Sequence, residues 1–206
     1  MNGNVSDDET LRAIKSVDNK RFDMVTADCG IDVSQQFEKQ ESLMYTLLIS
    51  QIIVMIQALK PGGVFVLKMF ENDLYHTKEL MYLLGTLFSQ VILVKPRTSR
   101  PLNCEKYLIC RSLKIGDGKI RQHFVEILKR YRSRDDITKG MLWKSGIPEE
   151  CMYLFHGYSR YCKEITTRHL QLILKKIGDI SIKIQNKVAE EFATQFNLPI
   201  IQSSSG

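Results

Sequence analysis

A short apolar run that begins with two glycines and contains one lysine constrains the fold of this chain more than any other feature. Residues 62–70 read Gly-Gly-Val-Phe-Val-Leu-Lys-Met-Phe. The glycine pair permits a tight turn after the preceding residues, and the apolar run is typical of a buried strand. Lys68 lies among residues that favour no charge, and lysine is rarely buried without a partner. Two interpretations stay open: Lys68 ends the strand and extends its amine into water, or it belongs to a functional site.

Apolar strands and helices alternate along the first half of the chain. A helix is predicted at 36–59, and the Lys60-Pro61-Gly62-Gly63 segment that follows it is a helix stop signal. A second helix is predicted at 75–88. The predicted strands are 22–30, 62–70, 91–94 and 107–110. This order predicts an α/β fold with a mostly parallel sheet. The short link before the last strand favours an antiparallel last strand. A further short helix is predicted to begin near Ser6.

Charged residues lie at the ends of three of these strands. Asp28 ends the first strand, Lys68 lies near the end of the second, and Glu105 lies at the beginning of the last. Ligands of open α/β sheets bind at the edge formed by the carboxyl ends of the strands. We therefore expect two carboxylates and one amine to meet at this edge of the sheet.

The connection before the last strand is strongly basic. Residues 95–107 hold two prolines and the four cations Lys95, Arg97, Arg100 and Lys106. The prolines restrict the backbone, and the cations can pair with phosphates. An exposed basic loop is also commonly no more than a solvated surface, so both interpretations stay open here.

Three segments together resemble successive motifs of one enzyme family. They read TADCGID at 26–32, GGVFVLKMF at 62–70 and KPRTSRPLNCEKY at 95–107. In this order they are similar to motifs of the FtsJ/RrmJ-like S-adenosylmethionine-dependent RNA ribose 2'-O-methyltransferases. The Ser-Arg-Pro-x-Asn-x-Glu form of the third segment resembles the branch that modifies the first transcribed nucleotide of capped mRNA, which includes viral enzymes. The resemblance covers about residues 2–113.

The resemblance implies a Rossmann-like methyltransferase sheet and a set of functional residues. The family uses a Lys-Asp-Lys-Glu tetrad, in which Asp28, Lys68 and Glu105 match the aspartate, the second lysine and the glutamate. Lys68 is then the general base that takes the proton of a ribose 2'-hydroxyl, and Asp28 also lies beside the S-adenosylmethionine cofactor. The RNA contacts are assigned to Arg97, Ser99 and Arg100, and no metal is required.

The chain also departs from the family pattern. No glycine-rich turn and no first tetrad lysine precede Phe22, and Cys29 replaces the glycine commonly found after the aspartate. These departures predict a C-terminal part of a longer methyltransferase, an N-terminally incomplete sheet, and little activity of the 206-residue chain alone. An exposed sheet edge would favour a homo-oligomer or a capping-enzyme partner.

The residues after 113 form a basic helical extension of the predicted methyltransferase domain, so the predicted units are 1–113 and 114–206. The first unit holds 13 basic and 13 acidic residues, and the second holds 16 basic and 10 acidic residues. Helices are predicted at 120–131, 166–177 and 180–196. Leu170, Ile173, Leu174, Ile177 and Ile180 have the spacing of core residues. Trp143, Tyr158 and Tyr161 are either core aromatics or rings that stack on a base or cap.

Composition limits the compartment and the partners. The polar, acidic beginning is not a signal peptide, and the five cysteines form no CxxC pair. We expect reduced thiols, no zinc site and a cytoplasmic protein, at a viral replication site or in a virion if the source is viral. The apolar residues 43–58 are shorter than a membrane span of about 20 residues and are expected to form a core helix.

Three functions are compatible with these motifs. The first is methyl transfer to capped mRNA. The second is an inactive RNA-binding or scaffold module with the same fold, and the third is 2'-O-methylation of ribosomal or transfer RNA. Each predicts an RNA partner and none predicts a membrane.

Overall fold

The computed structural model describes Glu9 and residues 22–30, 40–100, 102–132, 142–175 and 180–196. The strands are β1 (Phe22–Ala27), β2 (Leu59–Met69), β3 (Phe88–Val94) and β4 (Lys106–Leu113). The helices are α1 (Gln40–Ala58), α2 (Tyr75–Leu87), α3 (Gly118–Arg132), α4 (Glu149–Lys175) and α5 (Ile180–Gln195). Of the helix predicted to begin near Ser6, only Glu9 is described, and it is helical.

The described strands form one mixed sheet in the order β1-β2-β4-β3. β1 and β2 are parallel, and β4 pairs antiparallel with both β2 and β3. Three strands therefore run in one direction, and the last strand of the chain lies between two of them in the opposite direction. This confirms the mostly parallel sheet with an antiparallel last strand.

The two faces of the sheet are buried to different extents. Phe65, Leu67 and Met69 of β2 are fully buried in a core that also contains residues of α1, α2 and α3. The alternate residues Val64, Val66 and Lys68 are only partly buried. Since side chains alternate between the faces of a strand, Lys68 lies on the more open face.

The junction between α1 and β2 differs from the predicted turn. α1 ends at Ala58 and β2 begins directly at Leu59, so Pro61, Gly62 and Gly63 belong to the strand. Gly62 has a φ of 77°, and the β1–β2 register shifts in this part of the strand. A Cβ atom at Gly63 would lie 2.9 Å from the carbonyl oxygen of Asp23 in β1. The glycines therefore permit an irregular strand start and a close approach of β1, rather than a turn.

The longest helix also differs from its prediction. α4 spans 27 residues and begins at Glu149, whereas the sequence predicted a helix only at 166–177. Leu170, predicted as a core residue, is 45% exposed, and the side chains of the other four predicted core residues lie outside those described. The earlier turns of α4 escaped prediction because Tyr153 and Leu154 are exposed and interrupt a regular apolar stripe.

Helix α1 forms the centre of the core. Tyr45, Ile49, Ile52 and Ile56 are fully buried at helical spacing. Among the described helices, residues 41–58 alone are long and apolar enough to span a membrane by length and composition, but 67% of this segment is buried inside the protein. The prediction that this segment forms a buried core helix is thus confirmed. All five cysteines are free thiols.

A buried histidine gives α2 a pH-dependent stability. His76 is 3% exposed, and its ring contacts Tyr45 edge-on at a centroid distance of 4.4 Å. Burial, and secondly the charge of Lys78, lower the pKa of His76 below its ordinary value of 6.5. The unfolded chain therefore binds a proton at a higher pH than the folded chain, so the contribution of His76 is complete above pH 6.5 and is lost as the pH falls.

We expect the free energy of unfolding to decrease by up to about 1.4 kcal/mol per pH unit within this window, on account of His76 alone. Chemical denaturation at several pH values between neutrality and mild acid measures it. The variant His76→Phe should flatten the pH dependence, and His123→Phe, which replaces an exposed histidine on α3, should leave it unchanged. Equal slopes for the parent and His76→Phe would contradict the assignment.

Candidate active site

An amine and a carboxylate from neighbouring parallel strands meet at one edge of the sheet. Nζ of Lys68 lies 2.8 Å from Oδ1 of Asp28, and it also donates a hydrogen bond of 2.9 Å to the carbonyl oxygen of Asp28. The Lys68 side chain is 15% exposed and that of Asp28 is 70% exposed. The amine is thus mostly withdrawn from water and is paired, which favours the interpretation of Lys68 as part of a site.

The strand register explains this contact. Ala27 of β1 is the partner of Leu67 in β2, so the next residue on each strand brings Asp28 beside Lys68. The backbone after β1 is held from the other side by α1, because the amide of Cys29 donates a hydrogen bond of 3.2 Å to Oε1 of the buried Gln51. Asp28 therefore has a fixed position at the carboxyl end of β1.

A tyrosine connects the third predicted site residue to this pair. Tyr107 is the antiparallel register partner of Lys68, and its hydroxyl donates a hydrogen bond of 2.9 Å to Oε1 of Glu105. Burial, the hydrogen bond to Glu105, and the charges of Glu105 and Asp28 raise the pKa of Tyr107 to about 12. Tyr107 is therefore protonated at neutral pH and acts as a hydrogen-bond donor to Glu105.

Sequence reasoning gave Tyr107 no role, although it belongs to the third motif. Its position opposite Lys68 depends on β4 pairing with β2, which no local pattern reveals. Phe70 was missed as well: its ring centroid lies 5.7 Å from the Lys68 amine. The described site thus consists of Asp28, Lys68, Tyr107 and Glu105, with Phe70 at its border.

Two cations of the basic loop are held by hydrogen bonds to the protein, and the other two are exposed. Lys95 donates hydrogen bonds to the carbonyl oxygens of Asn103 and Glu105 and to the side chain of Asn103. Lys106, which is 5% exposed, donates to the carbonyl oxygen of Phe70 at 2.7 Å. Burial lowers the pKa of Lys95. These two lysines fix the loop on the end of the sheet, a role that the sequence did not indicate.

The residues predicted to contact RNA have different environments. The side chain of Arg97 is 80% exposed and lies 3.7 Å from the carboxylate of Glu191 on α5. Arg100 is exposed as well. Ser99 is partly buried, and its hydroxyl lies 3.0 Å from Oδ1 of Asn103, to which it donates a hydrogen bond. The two arginines are thus available to a ligand, whereas the Ser99 hydroxyl helps to hold the loop.

Comparison with known proteins supports the motif assignment. Residues 1–113 match the family model described as FtsJ-like methyltransferase. The chain belongs to the FtsJ-like methyltransferase family. This confirms the family that the three motifs predicted.

Curated relatives of this member of the FtsJ-like methyltransferase family are much longer proteins. Human cap-specific mRNA (nucleoside-2'-O-)-methyltransferase 1 is 28% identical over 197 residues, which cover 92% of this chain and 23% of the human protein. Inactive cap-specific mRNA (nucleoside-2'-O-)-methyltransferase 1B of Caenorhabditis briggsae is 27% identical over 152 residues, covering 68% of this chain and 18% of that protein. The FtsJ-like chain therefore spans less than a quarter of the length of these relatives.

A solved structure also matches part of the FtsJ-like chain. It is the crystal structure of a putative ribosomal RNA methyltransferase from Plasmodium falciparum, with a TM-score of 0.41 and 24% identity. The match covers 55% of this chain and 57% of that chain.

Enzymes of the FtsJ-like family use S-adenosylmethionine. The described residues fit part of such a cofactor, since its sulfonium is a cation and the Asp28 carboxylate is 70% exposed. A Cβ atom at Gly30, two residues after Asp28, would have the Lys68 amine as its nearest neighbour, at 3.8 Å. This glycine therefore does not mark a tight approach of the backbone to a cofactor. No glycine-rich turn follows a strand in the part of the chain that the structure describes. These residues therefore fit the reacting end of the cofactor and do not form a complete binding site.

Proposed function

We propose that the protein containing this chain methylates a ribose 2'-hydroxyl of RNA, at the first transcribed nucleotide of capped mRNA. The observation that carries the proposal is the Lys68–Asp28 pair, with a 2.8 Å contact at the carboxyl ends of two parallel strands. The family and the human relative, which is named as a cap-specific mRNA 2'-O-methyltransferase, support the reaction type.

The residues of the chain supply the deprotonation part of this reaction. In its neutral form, Lys68 accepts the proton of the 2'-hydroxyl and leaves the ribose oxygen nucleophilic. Asp28 positions the amine through its carboxylate and its carbonyl oxygen. Tyr107 and Glu105, joined by a hydrogen bond of 2.9 Å, lie on the side of Lys68 away from Asp28, because β4 and β1 flank β2 on opposite sides. S-adenosylmethionine supplies the electrophilic methyl group when it is bound.

The assignment of Asp28, Lys68 and Glu105 as catalytic residues rests on this geometry together with the motifs. A fixed amine contributes both proton transfer and orientation of the reacting hydroxyl, which are large effects in group transfer. The 2'-hydroxyl also distinguishes RNA from DNA at such a site. A substrate without this hydroxyl lacks the group that Lys68 deprotonates.

We assign the binding of the RNA backbone to the exposed arginines of the loop. Arg97 and Arg100 present guanidinium groups, which bind phosphate oxygens through two parallel hydrogen bonds. Ser99 contributes through the loop conformation that its contact with Asn103 stabilises. Binding should therefore weaken as the salt concentration rises.

A methyl-transfer assay on matched RNAs tests the proposal. Capped RNA with a free 2'-hydroxyl at the first transcribed nucleotide should accept a labelled methyl group, and the same RNA with a 2'-deoxy nucleotide there should not. An uncapped RNA of the same sequence separates cap-dependent from cap-independent activity. The assay compares the 206-residue chain with a longer protein that contains it, since the relatives are much longer. Absence of transfer to every RNA by the longer protein would contradict the proposal.

A second candidate function is RNA binding without methyl transfer. The chain is similar to a Caenorhabditis briggsae relative that is named as inactive, and this similarity favours the second candidate. This function predicts salt-dependent binding of capped RNA with no transfer by either form of the protein. The same matched RNAs therefore distinguish the two functions.

A further inference from the structure

A second concave site lies beside the candidate active site. A groove of about 950 Å³ separates the residues that follow β2 from helix α4, with the basic loop forming its third wall. Phe70 lines this groove, and its ring also lies 5.7 Å from the Lys68 amine. The groove therefore adjoins the catalytic pair without containing it.

Two buried polar side chains that line the groove each have a donor group without a partner among the described residues. Asn72 is 1% exposed and Ser159 is 6% exposed, and both line the groove. Nδ2 of Asn72 and Oγ of Ser159 have no hydrogen-bond partner among the described residues. Oδ1 of Asn72 already accepts a hydrogen bond from Lys106 at 3.2 Å, so the amide is oriented with its donor group unused. Buried polar groups normally have partners, and these two indicate a ligand that supplies acceptor oxygens.

The charge of the groove favours an anionic ligand. Among the described residues, its lining holds the four cations Lys95, Arg100, Lys106 and Lys163 and two acids, Glu71 and Asp73. Lys163 pairs with Asp73 at 2.6 Å, whereas Lys95 and Lys106 donate to carbonyl and amide oxygens, which carry no charge. The positive charge of these two lysines is therefore not neutralised by the oxygens that hold them.

We propose that this groove binds one nucleotide of the RNA strand, next to the nucleotide that is methylated. This inference rests on the proposed function, because it takes RNA as the substrate. The excess positive charge attracts the phosphate, and Asn72 and Ser159 donate hydrogen bonds to oxygens of the nucleotide. A volume of about 950 Å³ accommodates a nucleotide.

The same features argue against a positively charged, methylated cap base in this groove. Cationic bases and quaternary ammonium groups are bound by the faces of several aromatic rings. Phe70 is the only aromatic residue among the described residues that line the groove, and the surplus cations would repel a cationic base. The occupant is therefore an unmodified nucleotide of the transcript.

Fluorescence anisotropy of the 206-residue chain with a single-stranded RNA tests this inference. The RNA is uncapped and about six nucleotides long, which is within the usual length of a single-strand binding site. Ser159→Leu fills the groove and removes one unpartnered hydroxyl, so it should raise the Kd about tenfold with no change in the salt dependence. Arg100→Met, which removes an exposed cation of the groove lining, should also raise the Kd and lower the slope of log K against log salt by about 1. Lys119→Met, at an exposed position of α3 outside the groove, is the charge-matched control and should change the Kd less than about twofold.

Circular dichroism and thermal melts establish that each variant is folded. If Ser159→Leu does not fold, Thr167→Leu at the exposed rim of the groove replaces it, with the same expected loss of affinity. Parent-like affinity of the folded leucine variant would overturn the inference. An equal loss in Lys119→Met and Arg100→Met would overturn it too, because binding would then depend only on overall charge.

These results are separable from a failure of the proposed function. Methylation of capped RNA together with parent-like hexamer binding by the leucine variant would reject the groove and keep the reaction. Groove-dependent binding of the hexamer by a protein that methylates no RNA would reject the reaction and keep the groove.

Discussion

Replacement of Lys68 by methionine is expected to abolish methyl transfer to capped RNA by an active protein that contains this chain. Methionine fills a similar volume but cannot accept a proton, and loss of a positioned general base typically lowers a rate by about 10²–10⁴-fold. Lys68→Arg should be nearly as inactive, because a guanidinium is not deprotonated in proteins. The initial rate of labelled methyl transfer measures both effects, and anisotropy should show that RNA binding is retained.

The chain contains a matched control for this substitution. Lys60 lies on the same strand as Lys68 and forms the same kind of cross-strand pair, with Nζ 3.1 Å from Oδ1 of Asp23 in β1. That pair is far from buried, with side-chain exposures of 48% and 87%, and surface pairs contribute little to stability. Lys60→Met should therefore preserve the rate. Transfer by Lys68→Met at the Lys60→Met rate would show that Lys68 is not the base.

The Lys68–Asp28 pair could be predicted from the sequence because its geometry follows from strand polarity. Asp28 and Lys68 each come immediately after residues paired in a parallel ladder, Ala27 with Leu67. Parallel neighbours bring their carboxyl ends to one edge, so two strand-end residues on adjacent strands must lie close. Only the identification of the strands was needed, and the apolar runs were sufficient for that.

The basic loop could not be predicted to the same depth. Its four cations have similar local sequence surroundings, yet Lys95 and Lys106 point inward and Arg97 and Arg100 are exposed. The difference comes from carbonyl oxygens that the backbone presents at Phe70 and Asn103, and these positions exist only in the folded chain. The groove against α4 escaped prediction for the same reason, since it depends on how a distant helix packs beside the loop.

A second large effect is expected at Arg121, where replacement by methionine should destabilise the fold by about 3–5 kcal/mol. Arg121 is 4% exposed, and its guanidinium donates hydrogen bonds to the carbonyl oxygens of Ile56, Leu59 and Ile115 at 2.6–2.8 Å. These bonds join the last turn of α1, the start of β2 and the segment before α3. Methionine would leave three carbonyl groups without this donor at a junction between helix and strand.

Urea denaturation of the 206-residue chain measures this effect, with Lys119→Met as the control, because Lys119 is an exposed cation on the same helix. The control should shift the free energy of unfolding by less than about 0.5 kcal/mol. Since α3 also buries Val125 and Leu128 in the core that supports β2, loss of the Arg121 contacts should loosen the strand that carries Lys68. An Arg121→Met variant as stable as Lys119→Met would show that α3 is held against β2 by its apolar contacts alone.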